Sequence, residues 1–253
     1  MRHHEDVKFS LFRIPVEVRP SFLLIAALLG LQSNRLDLVL IWVGVIFVSI
    51  LIHELGHAVT ARHYGSDVAI ELNGIGGLTS WTIPETEIGP GRRALIAAAG
   101  SAVGLLFGAV VWAVSTQFGP YSPVVAFGLE NLILVNVFWG LLNWLPIRPL
   151  DGGHLFTSLL EKIAPRSGEK IANITFLAMA AIALLVAIRF RLIFVALISG
   201  WLLWGELTRR RGLQQPASMP VFDFNAPTRD PVPEESPIEV VDVVDDPTAE
   251  SDS

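Results

Sequence analysis

Cysteine is absent from the 253-residue chain, and charged residues are scarce. The lack of cysteine excludes disulfide bonds, cysteine-ligated metals and thiol nucleophiles. Charged residues make up 17% of the chain, against about a quarter in an average soluble domain. Together with 52% hydrophobic residues, this composition excludes a disordered protein, an ordinary cytosolic domain and a nucleic-acid-binding protein.

The charges that are present divide the chain into two parts. Residues 1–211 carry 17 Lys and Arg against 14 Asp and Glu, a net charge of +3. Residues 212–253 carry one Arg against ten acids, a net charge of −9, and hold seven of the 16 prolines. Acidic, proline-rich segments do not bury enough apolar surface to fold. We therefore expect a folded domain at 1–211 and a disordered, cytoplasmic tail at 212–253.

Long apolar segments predict a membrane protein, because a helix of about 20 apolar residues crosses a bilayer. Six candidate segments lie at about 21–33, 37–61, 93–117, 123–146, 171–188 and 192–207, of which the first and the last are short. We expect an all-α integral membrane protein with six transmembrane helices in the cell membrane. If successive connections alternate between the two sides, 14 of the 17 Lys and Arg residues of 1–211 lie on one side. The positive-inside rule then predicts that both termini are cytoplasmic.

The second predicted span contains the pattern His53-Glu54-Leu55-Gly56-His57. On a helix His53 and His57 lie one turn apart on the same face, where two imidazoles can bind one Zn²⁺. Glu54 lies beside them and is placed to accept a proton from a water. Ionisable residues are costly inside a membrane and usually functional there. The pattern therefore predicts a zinc site rather than a polar pair that only lines a helix bundle.

The third zinc ligand is predicted to be Asp151. Pro146 and Pro149 open the helix that precedes it, and two glycines permit a tight turn directly after it. The second and fourth spans run in the same direction, so the histidine pair and Asp151 lie at a similar depth. His63 is a weaker candidate, because a helix that continues through Thr60 turns His63 away from His57.

Two motifs, HELGHAVTARHYG at 53–65 and LLNWLPIRPLDGG at 141–153, resemble those of the site-2 protease family of intramembrane zinc metalloproteases. The number of spans resembles the compact six-span branch, which carries no PDZ-like or nucleotide-sensing domain. The stretch around Gly100 departs from the family, which often has Pro and Asn after this glycine. The resemblance implies a short cytoplasmic-side hairpin after the second span and the following site residues: zinc ligands His53, His57 and Asp151, general base Glu54, substrate- or oxyanion-contacting Asn143, and substrate-binding Gly76 and Gly77.

The predicted function is hydrolysis of a peptide bond in or near a transmembrane segment of a membrane protein, with one Zn²⁺ per chain. There are two alternatives: a zinc or cation transporter that uses the same His and Asp residues, and a catalytically silent scaffold that binds membrane partners. His154 is interpreted as a polar residue of the turn, with a metal contact as the alternative. Asn136 is interpreted as a hydrogen-bonding partner between helices, with the substrate path as the alternative. No oligomeric state is predicted.

Overall fold

The computed structural model describes residues 6–83 and 87–210. The chain divides into two units, Met1–Phe222 and Asp223–Ser253, and the fold described below belongs to the first. The acidic segment 212–253 lies outside the described residues, so its disorder stays a prediction.

The described residues form seven α-helices and four β-strands, which are numbered here in chain order. Two strands precede the first helix, and two more separate the second helix from the third. The elements are β1 (Val7–Leu11), β2 (Ile14–Val18), α1 (Pro20–Gly30), α2 (Leu36–His63), β3 (Val68–Asn73), β4 (Gly76–Trp81), α3 (Pro90–Ser115), α4 (Pro123–Asn143), α5 (Asp151–Ile163), α6 (Gly168–Arg189) and α7 (Ile193–Arg210).

Four of these helices, α2, α3, α4 and α6, are long and apolar enough to cross a membrane. They coincide with four of the six predicted spans. The first predicted span forms the shorter apolar helix α1, which continues into a 3-10 turn at Leu31–Ser33. The last lies within α7, whose 18 residues include three charged ones, Glu206, Arg209 and Arg210. The protein is therefore mostly helical, and the count of six spans stays a prediction.

The strands form one sheet in the order β1-β2-β3-β4. A hairpin of β3 and β4 follows α2 and is only half of this sheet, and its predicted position on the cytoplasmic side of the membrane stays a prediction. The other half is β1 and β2, in which β2 runs parallel to β3 and pairs Val16 with Ile70. The expectation of an all-α protein with a hairpin is thus incomplete. Apolar side chains at alternate positions, such as Ile14 and Val16, are buried beneath the sheet, and this burial stabilises the additional strands.

The sheet packs on the second half of α2. Its buried side chains join apolar residues of α2 and α3 in one core cluster, which includes Val16, Ile70, Leu72, Leu51 and Ile96. On another side of α2, the helix contacts α3 and α4. The half of α2 that carries the HELGH pattern is therefore held between the sheet and two neighbouring helices.

The segment before Asp151 is non-helical, as the two prolines predict, and it connects α4 to α5. The predicted tight turn after Asp151 is wrong, because α5 begins at Asp151 and includes both following glycines. A Cβ atom at Gly152 would lie 2.5 Å from the carbonyl oxygen of Trp144. Gly152 therefore lets the start of α5 pack directly on the preceding backbone, and this close packing explains the glycine better than a turn does.

Candidate metal centre and active site

Three side chains converge between α2 and the start of α5. His53 Nε2 lies 3.1 Å from His57 Nε2 and 2.9 Å from Asp151 Oδ2. The third side of the triangle, from His57 Nε2 to Asp151 Oδ2, measures 3.2 Å. Both histidines are buried and Asp151 is half-buried. The structure thus brings together the three residues that the sequence predicts as zinc ligands.

These three atoms fit the ligand set of a tetrahedral metal ion. Ligands bound at 2.0–2.1 Å in a tetrahedron lie about 3.3 Å apart, which is close to the three separations. His57 Nδ1 lies 2.7 Å from the carbonyl oxygen of Ile96. Because a carbonyl oxygen only accepts hydrogen bonds, Nδ1 carries the proton and Nε2 is free to bind a metal. The donor set therefore suits one Zn²⁺ and leaves a fourth position open.

The space around His57 depends on a glycine of α3. A Cβ atom at Gly100 would lie 2.6 Å from His57 Cε1, well inside van der Waals contact. Glycine at this position lets α3 pack against the imidazole while Ile96 of the same helix holds its Nδ1. The α3 stretch that departs from the family pattern thus retains the residue that the histidine requires.

The carboxylate of Glu54 is buried against β4. Thr79 Oγ1 donates a hydrogen bond of 2.7 Å to Glu54 Oε2 and lies 3.1 Å from the Glu54 carbonyl oxygen. A Cβ atom at Gly77 would lie 2.5 Å from Glu54 Cγ, so only glycine permits this approach of the strand. Thr79 was not among the residues predicted from the sequence, because no local pattern relates it to Glu54.

Asn143 is the last residue of α4, and its side chain is buried beside the histidine pair. Its Nδ2 atom lies 3.4 Å from His53 Nε2. Asn136 is two turns earlier on α4 and donates a 2.8 Å hydrogen bond to Ser49 Oγ of α2. The structure thus agrees with the interpretation of Asn136 as a link between helices, and it places Asn143 at the edge of the three-residue cluster.

A cavity of about 730 Å³ connects these features. Glu54, His57 and Asp151 line it, together with β4 from Gly77 to Thr79 and part of α7. Two ion pairs border the cavity. One joins Arg93 to Glu161. The other joins Arg148 to Glu206, with 3.9 Å between their charged atoms. Glu206 is buried, and its ion pair joins α7 to the loop before Asp151.

Three other residues considered from the sequence lie outside the cluster. His63 is exposed at the end of α2, where its ring packs beside Tyr64. His154 is exposed on α5 and lines the cavity without joining the three ligand atoms. Gly76 begins β4 opposite Asn73, with φ +143°. The neighbouring Gly77 contacts Glu54, whereas Gly76 belongs to the end of the hairpin.

A family model, curated sequences and a solved structure all match this chain. The family model for peptidase family M50 matches residues 122–186, which include Asn143 and Asp151. A zinc metalloprotease of Methanocaldococcus jannaschii is 30% identical over an alignment of 183 residues, which covers 67% of this chain and 52% of the relative. A relative from Synechocystis sp. is 32% identical over an alignment of 178 residues, which covers 64% of this chain and 46% of the relative. The chain thus spans about half the length of these two relatives.

One solved structure matches over most of the chain. It is the site-2 protease from Methanocaldococcus jannaschii, with a TM-score of 0.56 and 26% sequence identity. The match covers 87% of this chain and all of the solved one. These matches confirm the family that the two sequence motifs predict, and the chain belongs to the site-2 protease family.

Proposed function

We propose that the chain is a zinc-dependent intramembrane endopeptidase, which hydrolyses a peptide bond in or near a transmembrane segment of a membrane protein. The observation that carries this proposal is the convergence of His53, His57 and Asp151 on one point, in a cavity that Glu54 also lines. A metal site with one open position beside a buried carboxylate is the arrangement that metal-assisted hydrolysis requires.

One Zn²⁺ per chain would be held by His53 Nε2, His57 Nε2 and Asp151 Oδ2. When bound, this ion supplies a Lewis acid that polarises the scissile carbonyl and lowers the pKa of a water. Glu54 accepts the proton of the attacking water and passes it to the leaving nitrogen. Asn143 Nδ2 points towards the same centre and donates a hydrogen bond to the substrate backbone or to the oxygen that becomes negative.

The substrate must be extended where it is cut, because a helix hides its carbonyl groups in backbone hydrogen bonds. Within the described part of the chain β4 pairs with β3 alone, so its outer edge carries unpaired backbone groups. Gly77, Leu78 and Thr79 of β4 line the cavity. An unwound substrate segment adds to this edge as a further strand, with Gly76 and Gly77 beside its backbone. This places its peptide bonds close to Glu54.

The proposal includes the membrane topology. The four long helices, α1 and α7 form six spans, which agree with the division of the 17 Lys and Arg residues into 14 and three. Both termini are then cytoplasmic, and β3 and β4 lie on the cytoplasmic side of the membrane. Residues 1–211 form the protease domain, and 212–253 form the acidic cytoplasmic tail. The partners are the lipid bilayer and a transmembrane protein substrate.

The first experiment compares the wild-type chain with Glu54→Gln in the cell that makes it. We expect Glu54→Gln to retain zinc and to abolish cleavage, so that one or more membrane protein precursors accumulate. Glu130→Gln is the matched control, because Glu130 is exposed on α4. Normal precursor processing by Glu54→Gln would refute the proposed mechanism. If wild-type vesicles transport Zn²⁺ and no precursor accumulates, the chain is a transporter. If neither occurs, it is a scaffold.

The metal is tested by a matched pair of histidines on the same helix. His53→Ala should lose zinc from the purified protein, because it removes one of three ligands. His63→Ala should retain one zinc per chain, because His63 is exposed and lies outside the cluster. Equal zinc content in both variants would contradict the proposed ligand set.

A further inference from the structure

Thr79 lies on β4. The residue is 6% exposed, and its hydroxyl faces the side chain of Glu54. We propose that Thr79 is a positioning residue, whose hydroxyl fixes the orientation of the Glu54 carboxylate. This inference rests on the proposed function, in which Glu54 is the general base. It adds a residue that neither of the two sequence motifs contains.

The hydrogen bond is short and its acceptor is a carboxyl oxygen. Thr79 Oγ1 lies 2.7 Å from Glu54 Oε2, the usual separation between a hydroxyl donor and an oxygen acceptor. Among the described residues, Thr79 supplies the one side-chain hydrogen bond to this carboxylate. A buried carboxylate without a donor would be costly. The hydroxyl therefore fixes Oε2, while Oε1 lies beside Gly77 of the same strand.

The same hydroxyl has a second acceptor within reach, the Glu54 carbonyl oxygen at 3.1 Å. A threonine hydroxyl has one proton to donate and can also accept a hydrogen bond. Both acceptors belong to Glu54, so Thr79 lies within hydrogen-bonding distance of its side chain and of its backbone. These two contacts hold Glu54 against β4.

The strand that carries Thr79 is a rigid support for this contact. Gly77 and Thr79 are two positions apart, so they lie on the same face of β4. Gly77 contacts Glu54 along its Cγ and Cδ atoms, where a Cβ atom would come within 2.7 Å of Cδ. Gly77 pairs with Leu72 and Thr79 pairs with Ile70, and both partners are fully buried in β3. The carboxylate therefore rests against the sheet at two points.

The test compares Thr79→Val, which keeps the shape and removes the hydroxyl, with Thr79→Ser, which keeps the hydroxyl. The substrate is the precursor that accumulates with Glu54→Gln, purified and cleaved by the full chain in detergent. Loss of a hydrogen bond to a charged group predicts a kcat about tenfold to a hundredfold lower for Thr79→Val. We expect its KM to change by less than about twofold, because Thr79 acts through Glu54 and not through substrate binding. Thr79→Ser should restore kcat to within about threefold of the wild type.

Zinc content provides a measurement that does not depend on cleavage. Thr79→Val and Thr79→Ala should both retain one zinc per chain, because neither contacts the three ligands. Loss of zinc from both variants would overturn the inference, because Thr79 would then support the metal site as a whole. A wild-type kcat for Thr79→Val, or a Thr79→Ser variant as slow as Thr79→Val, would also overturn it. If Glu54→Gln itself cleaves the precursor normally, it is the proposed function that fails.

Discussion

Gly100→Ala is predicted to weaken zinc binding, although Gly100 is not a ligand. The added Cβ atom would lie 2.6 Å from His57 Cε1, whereas two carbon atoms in contact are about 3.5–4.0 Å apart. His57 must therefore move by about 1 Å. Metal ligands tolerate displacements of about 0.2 Å. The imidazole is also held at Nδ1 by the Ile96 carbonyl oxygen, 2.7 Å away, so moving the ring breaks or bends that hydrogen bond.

The expected effect is a loss of about tenfold to a hundredfold in zinc affinity, the range found when the support of a metal ligand is disturbed. The assay is competition for zinc between the purified full chain and a chromophoric chelator, followed by cleavage of the accumulated precursor. Gly104→Ala is the matched control, one turn further along α3. Its Cβ atom would lie 3.6 Å from Asn136 Oδ1, an ordinary contact. Wild-type zinc affinity for Gly100→Ala, or an equal loss for Gly104→Ala, would refute this reasoning.

Three further predictions concern stability and the tail. Asn136→Leu removes the 2.8 Å hydrogen bond to Ser49 and should lower the free energy of unfolding by about 0.6–2 kcal/mol. Thermal unfolding in detergent measures this effect, and an unchanged Tm would contradict the prediction. Burial is the largest cause that raises the pKa of Glu17 above its ordinary value, and a hydrogen bond with Asp6 is the second. Glu17 therefore stabilises the fold at low pH, and this contribution is lost as the pH rises through the raised pKa. Glu17→Gln should therefore raise Tm at pH 7 relative to the wild type, and the difference should shrink in acid; a lower Tm at pH 7 would show that the pair with Lys8, 3.6 Å away, outweighs burial. Truncation after Gly212 should leave cleavage of the precursor intact, and loss of cleavage would show that the tail recruits substrate.

The cluster of His53, His57 and Asp151 could be predicted from the sequence because the positions of these residues follow from local rules. His53 and His57 are one helical turn apart, and the helix continues through Thr60 to His63 as expected. Pro146 and Pro149 interrupt the helix before Asp151, so the chain opens where the ligand is needed. These patterns require no knowledge of distant contacts. They bring the three ligands to one place once the helices pack.

The sheet and α5 were harder to predict, for two different reasons. Residues 7–18 alternate polar and apolar side chains, which is typical of a strand, but the partner of β2 lies more than fifty residues later in β3. No local pattern indicates this parallel pairing. The helix α5 has 13 residues and is too short for a search based on span length. The role of Thr79 could not be predicted from a local pattern either, because its contact with Glu54 exists only after β4 has docked on α2.

The four-stranded sheet also restricts where a substrate strand could add under the proposed function. A free hairpin would offer two edges, but β2 occupies the outer edge of β3 and β1 covers β2. Among the described residues, the two open edges of the sheet belong to β1 and β4, and three spacings of about 4.8 Å, roughly 14 Å, separate these strands. Under the proposed function, a segment that pairs with β4 runs alongside Glu54, whereas a segment that pairs with β1 lies on the far side of the sheet. The N-terminal strands would thus leave β4 as the one edge of the described sheet at which cleavage could follow.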